Sequence, residues 1–288
     1  MQPVCVVHSE CQLGEGPLWD ADAQRLYWLD IKQRRLHWFE PASGRAEALQ
    51  LDVQATALGR RAQGGLVMAC AGGVGVFDVA ARRFELRVRI EDDLPGNRTN
   101  DGHVGADGRF WFGTMADNGE GRTGALYRLD PDWRCAQMES SLGIPNAIVI
   151  DASGETLYMA DSAAHELYAY PLNARTGELG ARTLLASTTP PITPDGAAID
   201  AEGYIWSAQW DGWRLVRYAP SGAVDRIVAM PVSRPTSCAF GGPDLRTLYI
   251  TSARVGLEAE ALAGEPLAGG VFALEVETPG LSLPLFAG

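Results

Sequence analysis

The sequence has 288 residues, of which 46% are hydrophobic and 21% are charged, and it carries a formal net charge of -12. This composition excludes an intrinsically disordered chain and leaves ample material for a hydrophobic core. No run of Lys and Arg could supply the phosphate-neutralising surface that nucleic-acid binding requires, and the acidic balance also disfavours anionic membranes.

The N-terminal ten residues have no basic start and only a short apolar stretch, which is unlike a signal peptide, and no later segment could span a bilayer. Five scattered cysteines lack any C-x-x-C pair, as expected for free thiols in a reducing compartment. We therefore expect a cytoplasmic protein.

A short apolar strand recurs along the chain at intervals of 40 to 48 residues, which is the period of a four-stranded propeller blade. The six copies begin at Leu26, Leu66, Phe110, Leu157, Ile205 and Leu248. An Asp/Gly turn and another short strand precede most copies, and a further apolar strand follows each one. These features predict an all-β fold, a six-bladed β-propeller with four antiparallel strands per blade, in one domain over residues 1–288.

The two ends of the pattern predict how the ring closes. The segment before Ser9 precedes the first blade, so we expect it to join the last blade as a strand and remove two open sheet edges. Helical periodicity is absent, apart from a possible short turn around residues 257–262.

Four oxygen-bearing side chains share one phase of the repeat. Each lies ten or eleven residues before a recurring strand, at the start of a blade's first strand: Glu15, Asn100, Asn146 and Asp195. In a closed ring these positions point at the axis from one end, where two carboxylates and two amides would suit a divalent cation. Taken singly, each residue would also fit a turn at the start of a strand.

Antiparallel order places the connections after the second strands at this same end. The longest of them, residues 252–269, is the predicted lid. Arg98 would lie near the opening, either to bind hydroxyls or a developing anion or as a surface arginine. His103 could face the channel wall or be structural, and Trp210 and Trp213 could wall the pocket or cover the blade.

Several motifs together resemble the SMP-30/gluconolactonase/regucalcin family of six-bladed propellers, and within it the bacterial sugar-lactone lactonases. They are Leu13-Gly14-Glu15-Gly16-Pro17, Asn97-Arg98-Thr99-Asn100-Asp101-Gly102, Ile144-Pro145-Asn146, Pro194-Asp195-Gly196 and Ala268-Gly269-Gly270-Val271-Phe272. The resemblance implies that Glu15, Asn146 and Asp195 bind one divalent metal and that Asp195 is the candidate base. It also implies that Arg98 and Asn100 contact the substrate.

The chain departs from some relatives after Met115, where they carry a substrate-contacting acidic residue in a longer loop. A short Gly-rich connection here offers Asp117, Asn118 and Glu120, and of these we take Asn118 and Glu120 as further candidate substrate contacts.

These expectations combine into a hypothesis of a metal-dependent hydrolase that opens a sugar (aldono-) lactone in carbohydrate metabolism. The cofactor would be one divalent ion, Ca²⁺, Zn²⁺, Mn²⁺, Mg²⁺ or Fe²⁺, and the protein a monomer or weak homo-oligomer. One alternative is an organophosphate or other ester hydrolase that uses the same metal site. Another is a calcium-binding regulatory protein without turnover.

Overall fold

The structure, a computed structural model, describes residues 2–288, which form 24 strands, one short α-helix and one 3₁₀-helix, Ser162–Ala164. In chain order the first twelve strands are β1 (Val4–Val7), β2 (Gly14–Asp20), β3 (Arg25–Asp30), β4 (Arg35–Glu40), β5 (Arg45–Gln50), β6 (Ala55–Arg60), β7 (Leu66–Cys70), β8 (Gly73–Asp78), β9 (Arg83–Arg89), β10 (Asn97–Val104), β11 (Phe110–Ala116) and β12 (Gly124–Leu129). The remaining elements are β13 (Cys135–Leu142), β14 (Pro145–Ile150), β15 (Thr156–Asp161), β16 (Glu166–Pro171), β17 (Thr183–Ser187), β18 (Thr193–Ile199), β19 (Ile205–Trp210), β20 (Arg214–Tyr218), β21 (Val224–Ala229), β22 (Pro235–Gly241), β23 (Thr247–Ser252), α1 (Ala259–Gly264) and β24 (Val271–Glu275).

The strands form six antiparallel sheets of four, which are the blades of a six-bladed β-propeller, and the predicted fold class is confirmed. The helix α1 lies close to the short turn predicted around residues 257–262. Across residues 2–288, no helix is long and apolar enough to cross a membrane. The chain divides into two compact units. A single domain over residues 1–288 therefore stays a prediction.

The first unit runs to Leu51 and resumes over Thr188–Ser282. Its sheets have the orders β2-β3-β4-β5, β18-β19-β20-β21 and β1-β24-β23-β22. In the last of these, Val4 of β1 lies opposite Ala273 of β24 in an antiparallel pair. The prediction that the N-terminal strand completes the last blade is thereby confirmed, and the outer edge of β24 is covered.

The second unit comprises Asp52–Ser187 and the C-terminal residues Leu283–Gly288, with sheets β6-β7-β8-β9, β10-β11-β12-β13 and β14-β15-β16-β17. Its C-terminal segment is held by Phe286, which is fully buried and packs edge-to-face on Trp133 at 5.2 Å. The backbone N–H of Phe286 also donates to the carbonyl of Arg60 at 2.8 Å.

The second strand of each blade explains why the repeat is legible in the sequence. All five residues of β7 are buried, as are the last five of β3 and of β15. A strand buried on both faces has no reason to alternate apolar with polar residues, so it forms a continuous apolar run. The outer strands β5 and β9, by contrast, are largely exposed.

A buried ion-pair network stabilises the fifth blade. The Arg217 guanidinium donates to the fully buried Asp200 carboxylate from Nε at 2.8 Å. It also donates to Asp225 at 2.9 Å and Glu202 at 2.7 Å, and it lies 3.8 Å from the centre of the Tyr204 ring. Each hydrogen-bonding group of the arginine therefore has an acceptor, as a buried charge requires.

His37 makes the stability of the first unit sensitive to acid. Its ring stacks on Trp28 at 5.0 Å, its Nε2 lies 3.8 Å from the Cys11 thiol, and burial lowers the pKa of His37 to about 4. An unfolded His titrates near 6.5, so the unfolded chain takes up a proton first as the pH falls. Stability is therefore present above about pH 6.5 and is lost as the pH falls towards 4.

Replacement of His37 by Phe, which retains a stackable ring but cannot titrate, should remove this contribution. We expect the acid-induced loss of unfolding free energy between pH 7 and pH 4 to shrink by about 3 kcal/mol. Urea titrations at the two pH values measure it. An unchanged acid dependence in the variant would contradict the assignment.

Candidate active site

The first strand of every blade contains a register shift at its start. The shifts fall between Glu15 and Leu18, between Asn146 and Val149 and between Pro194 and Ala197, and equivalent shifts interrupt β6, β10 and β22. A bulge of this kind inserts an extra residue and re-aims nearby side chains. All four predicted in-phase residues thus lie at or inside a bulge.

In the second unit, the bulges of β10 and β14 bring Asn100 and Asn146 into contact. The Asn100 amide Nδ2 donates to Asn146 Oδ1 at 2.8 Å and to the Pro145 carbonyl at 2.9 Å. Asn146 Nδ2 in turn donates to Ser162 Oγ at 2.9 Å, and both amides are buried. These two bonds fix which way the Asn146 amide points, and its carbonyl oxygen, which has two lone pairs, has one of them engaged by Asn100.

Arg98 extends this chain of hydrogen bonds towards the loop after β11. Its Nη1 donates to Asn100 Oδ1 at 2.8 Å, and its Nε donates to Asp117 Oδ1 at 2.7 Å. The Arg98 side chain is only 5% exposed, whereas that of Asp117 is 46% exposed. Arg98 is therefore a buried, oriented cation rather than a free surface arginine.

The acidic residue that reaches Arg98 is Asp117, whereas the residues chosen from the sequence were Asn118, one position later, and Glu120, three positions later. Asn118 and Glu120 are both exposed, and Asn118 Oδ1 accepts the backbone N–H of Glu120 at 3.0 Å in a tight turn. Their roles as substrate contacts stay predictions.

In the first unit, Glu15 and Asp195 occupy the bulges of β2 and β18. Asp195 is 6% exposed and Glu15 is half-buried, with its Oε2 accepting the N–H of Gly16 at 3.1 Å. Close packing requires glycine beside each of them. A Cβ on Gly14 would lie 2.7 Å from the carbonyl oxygen of Ser252. A Cβ on Gly196 would lie 2.2 Å from the hydroxyl oxygen of Ser237.

Two buried aspartates position the segments that lead into these strands. Asp30, at the end of β3, accepts the backbone N–H groups of residues 12 and 13, at 2.8 and 3.3 Å, just before Glu15. Asp161, at the end of β15, likewise accepts those of residues 143 and 144, both at 3.0 Å, just before Asn146. The same device thus fixes the approach to a predicted metal ligand in two different blades.

Asp101 and His103 lie deep in the first strand of the third blade yet keep part of their surface accessible. Burial raises the pKa of Asp101 to about 6, although the N–H groups of Ile148 and Gly102 donate to its carboxylate and oppose the shift. Burial lowers the pKa of His103 to about 4, so this imidazole is neutral at pH 7. Asp101 links the bulges of β10 and β14 and thereby supports the Asn100–Asn146 pair.

The predicted lid is anchored to the first unit. The carboxylate of Glu265, just after α1, is 5% exposed and accepts the backbone N–H of Ser233 at 2.6 Å. Arg254, at the other end of the segment, donates to Glu10 at 2.6 Å. Both ends of residues 252–269 are therefore tied to neighbouring chain.

The donor chemistry of the predicted ligands suits a hard cation. Within residues 2–288, no three or more His, Cys, Asp or Glu side chains are grouped so that they could hold a metal ion. The predicted set is of a different composition, with two carboxylates and one amide. Buried carboxylate and amide oxygens are the ligands of Ca²⁺ and Mg²⁺, and three protein ligands would leave positions for water and substrate.

Comparison with known proteins agrees with this architecture. Residues 13–254 match the model of the SMP-30/gluconolactonase/LRE-like region, and the chain belongs to this family. It is 40% identical over 286 residues to a 6-deoxy-6-sulfogluconolactonase of Pseudomonas putida, covering 99% of this chain and 98% of that one. It is 36% identical over 283 residues to pentonolactonase XacC of Haloferax volcanii, covering 96% and 94%.

A solved structure shares the whole fold. The crystal structure of a calcium-binding protein, regucalcin, from Agrobacterium tumefaciens matches with a TM-score of 0.96 and 32% identity, covering 100% of this chain and 98% of that one. The family resemblance noted in the motifs is confirmed.

Sequence reasoning missed three features of the site: the bulges, the Ser162 hydroxyl and the choice of Asp117. Ser162 directly follows Asp161 at the end of a second strand, a position that the antiparallel order had placed near the opening. That placement was the available signal for Ser162. The bulges had a weaker signal in the sequence. In β14, for example, the residue with a left-handed φ of +50° is Ala147, where a glycine would have indicated an unusual backbone.

Proposed function

We propose that this protein is a divalent-metal-dependent lactonase that opens sugar lactones of the aldonolactone class to the corresponding sugar acids. The observation that carries the proposal is the buried chain of hydrogen bonds from Arg98 through Asn100 and Asn146 to Ser162. Oriented buried polar groups at strand ends are what a polyhydroxylated substrate needs for recognition. Relatives named as a sulfogluconolactonase and a pentonolactonase support the reaction class.

The metal ligands in this proposal are Glu15, Asn146 and Asp195, each at the bulged start of a first strand. A divalent cation bound there would supply Lewis acidity towards the lactone carbonyl and lower the pKa of a water molecule. The regucalcin relative described as calcium-binding makes a divalent ion of this kind reasonable. The experiment below determines which of Ca²⁺, Zn²⁺, Mn²⁺, Mg²⁺ and Fe²⁺ the protein uses.

Side chains of the protein provide the proton transfer and the substrate binding. Asp195 accepts a proton from the attacking water, and Arg98 and Asn100 bind the hydroxyl groups of the sugar. General-base assistance of this kind contributes about 10²- to 10⁴-fold in rate. Ser162 accepts a hydrogen bond from the Asn146 amide, and Asp101 ties together the two strands that carry the asparagines. Asp30 and Asp161 hold the segments that precede the metal ligands.

The proposal is tested by a pH-stat assay of metal-stripped protein on a panel of pentono- and hexonolactones, with and without each divalent metal. We expect base consumption above the spontaneous rate only after a metal is restored, and calorimetry should show one metal site per chain. Hydrolysis of organophosphate or simple aryl esters in preference to every lactone would replace the proposal by the ester-hydrolase alternative. Metal binding without turnover on any of these compounds would favour a regulatory protein.

A further inference from the structure

The wall of the first unit beside its two proposed metal ligands is apolar. Trp210 ends β19 and pairs with Thr193, two residues before Asp195. The indole packs against a buried cluster of Leu13, Ile31 and Ala253. Because Leu13 lies two residues before Glu15, this cluster and Trp210 occupy the strand ends that carry both carboxylates.

Arg234 fixes the orientation of the Trp210 ring. Its guanidinium lies 4.8 Å from the centre of the indole, and its Nε donates to Asp211 at 2.6 Å. Its Nη1 donates to the Val255 carbonyl. Gly256 follows with a φ of +75°, and a Cβ there would lie 3.0 Å from the same Nη1. The cation is therefore clamped between two loops and stacked on the aromatic ring.

Trp210 remains only partly buried after these contacts. Arg234 and the apolar cluster cover part of the indole, and the rest remains accessible. Trp213, three residues further on, differs in that it is 46% exposed. Trp210 is thus a rigid, preorganised aromatic surface, whereas Trp213 is an exposed neighbour.

We propose that Trp210, held by Arg234, is the platform on which the C–H face of a sugar lactone packs, and that it is a specificity-determining residue of the site. The inference rests on the proposed function. A sugar ring has hydroxyl groups that need hydrogen bonds and C–H groups that gain from an apolar surface, and ligand sites combine both kinds of contact. Trp210 selects for polyhydroxylated rings with an extended carbon skeleton over small unsubstituted lactones.

The test compares D-glucono-1,5-lactone with γ-butyrolactone in four proteins: wild type, Trp210→Ala, Trp210→Phe and the matched control Trp213→Ala. With the gluconolactone, we expect KM to rise about tenfold in Trp210→Ala with kcat within about twofold, because an aromatic contact is lost from substrate binding. Trp210→Phe should recover most of the affinity, and Trp213→Ala should resemble wild type. The kcat/KM for γ-butyrolactone should be the same in all four.

Three outcomes would overturn the inference: an unchanged KM in Trp210→Ala, an equal rise in Trp213→Ala, or parallel losses of kcat on both lactones. Calorimetry with D-gluconate separates this inference from the proposed function. If wild type opens no lactone but binds gluconate, weaker binding by Trp210→Ala supports the platform, and equal binding overturns it. If wild type neither opens lactone nor binds gluconate, both proposals fall.

Discussion

Substitution of Asp195 by Asn is expected to lower kcat/KM for an aldonolactone by about 10³-fold or more. The change removes the proposed proton acceptor, which alone contributes about 10²- to 10⁴-fold, and it also removes a negative charge from the cation site. Glu15→Gln should reduce activity through the second effect alone. Initial rates by pH-stat, with the metal held in excess, measure the first variant, and the metal titration of both variants measures the loss of affinity.

The matched control is Asp244→Asn, which removes an exposed carboxylate from the same compact unit; its contacts are a 3.8 Å ion pair to Arg246 and a 3.3 Å hydrogen bond from the backbone N–H of Arg246, which the Asn Oδ1 can also accept. This variant should retain wild-type rates and metal affinity. Thermal unfolding of all variants shows whether they are folded. Full lactonase activity in both Asp195→Asn and Glu15→Gln would refute the assignment of the metal site.

The largest loss of stability is expected from Arg217→Leu. Its replacement leaves Asp200, which is 0% exposed, without its cationic partner in the interior of the blade. The carboxylate would retain hydrogen bonds from the Trp206 indole at 3.0 Å and the backbone N–H of Tyr204 at 3.0 Å. These neutral donors do not balance a buried charge, so we expect a loss of about 3 to 5 kcal/mol in the free energy of unfolding.

Two further variants identify the cause. Arg246→Leu removes an arginine that is 44% exposed, and should cost less than about 1 kcal/mol. The double variant Arg217→Leu with Asp200→Asn removes the charge together with its partner and should recover part of the loss. Urea unfolding measures all three. A loss in Arg217→Leu no larger than in Arg246→Leu would mean that the network carries little stability.

The fold was predictable because the second strand of each blade is buried on both faces. Segments such as Leu66–Cys70 have few alternatives to a continuous apolar sequence, so their spacing survives in the chain and reports the blade period. The pairing of the N-terminal strand followed from the same logic, since an unpaired Val4–Val7 would leave an open edge.

The site was predictable only in part. Strand phase placed Glu15, Asn100, Asn146 and Asp195 at corresponding positions of their blades, because a closed repeat turns equal phase into an equal place in each blade; their roles in a site stay predictions. Phase says nothing of local backbone geometry, however, so the register shifts stayed hidden. The loop after β11 depends on hydrogen bonds rather than on periodicity, which is why Asp117 was not preferred over its neighbours.

The bulges separate two tasks within each first strand. Beyond the bulge, residues such as Val149 pair in regular register with the second strand and contribute to the core. The residues before the bulge, such as Asn146, pair with the same strand in a register shifted by one residue. A substitution before the bulge can therefore change the side chains at the start of the strand without shifting the pairing of the rest of the blade. Such a chain can therefore change the side chains at its strand ends while the pairing of its blades stays the same.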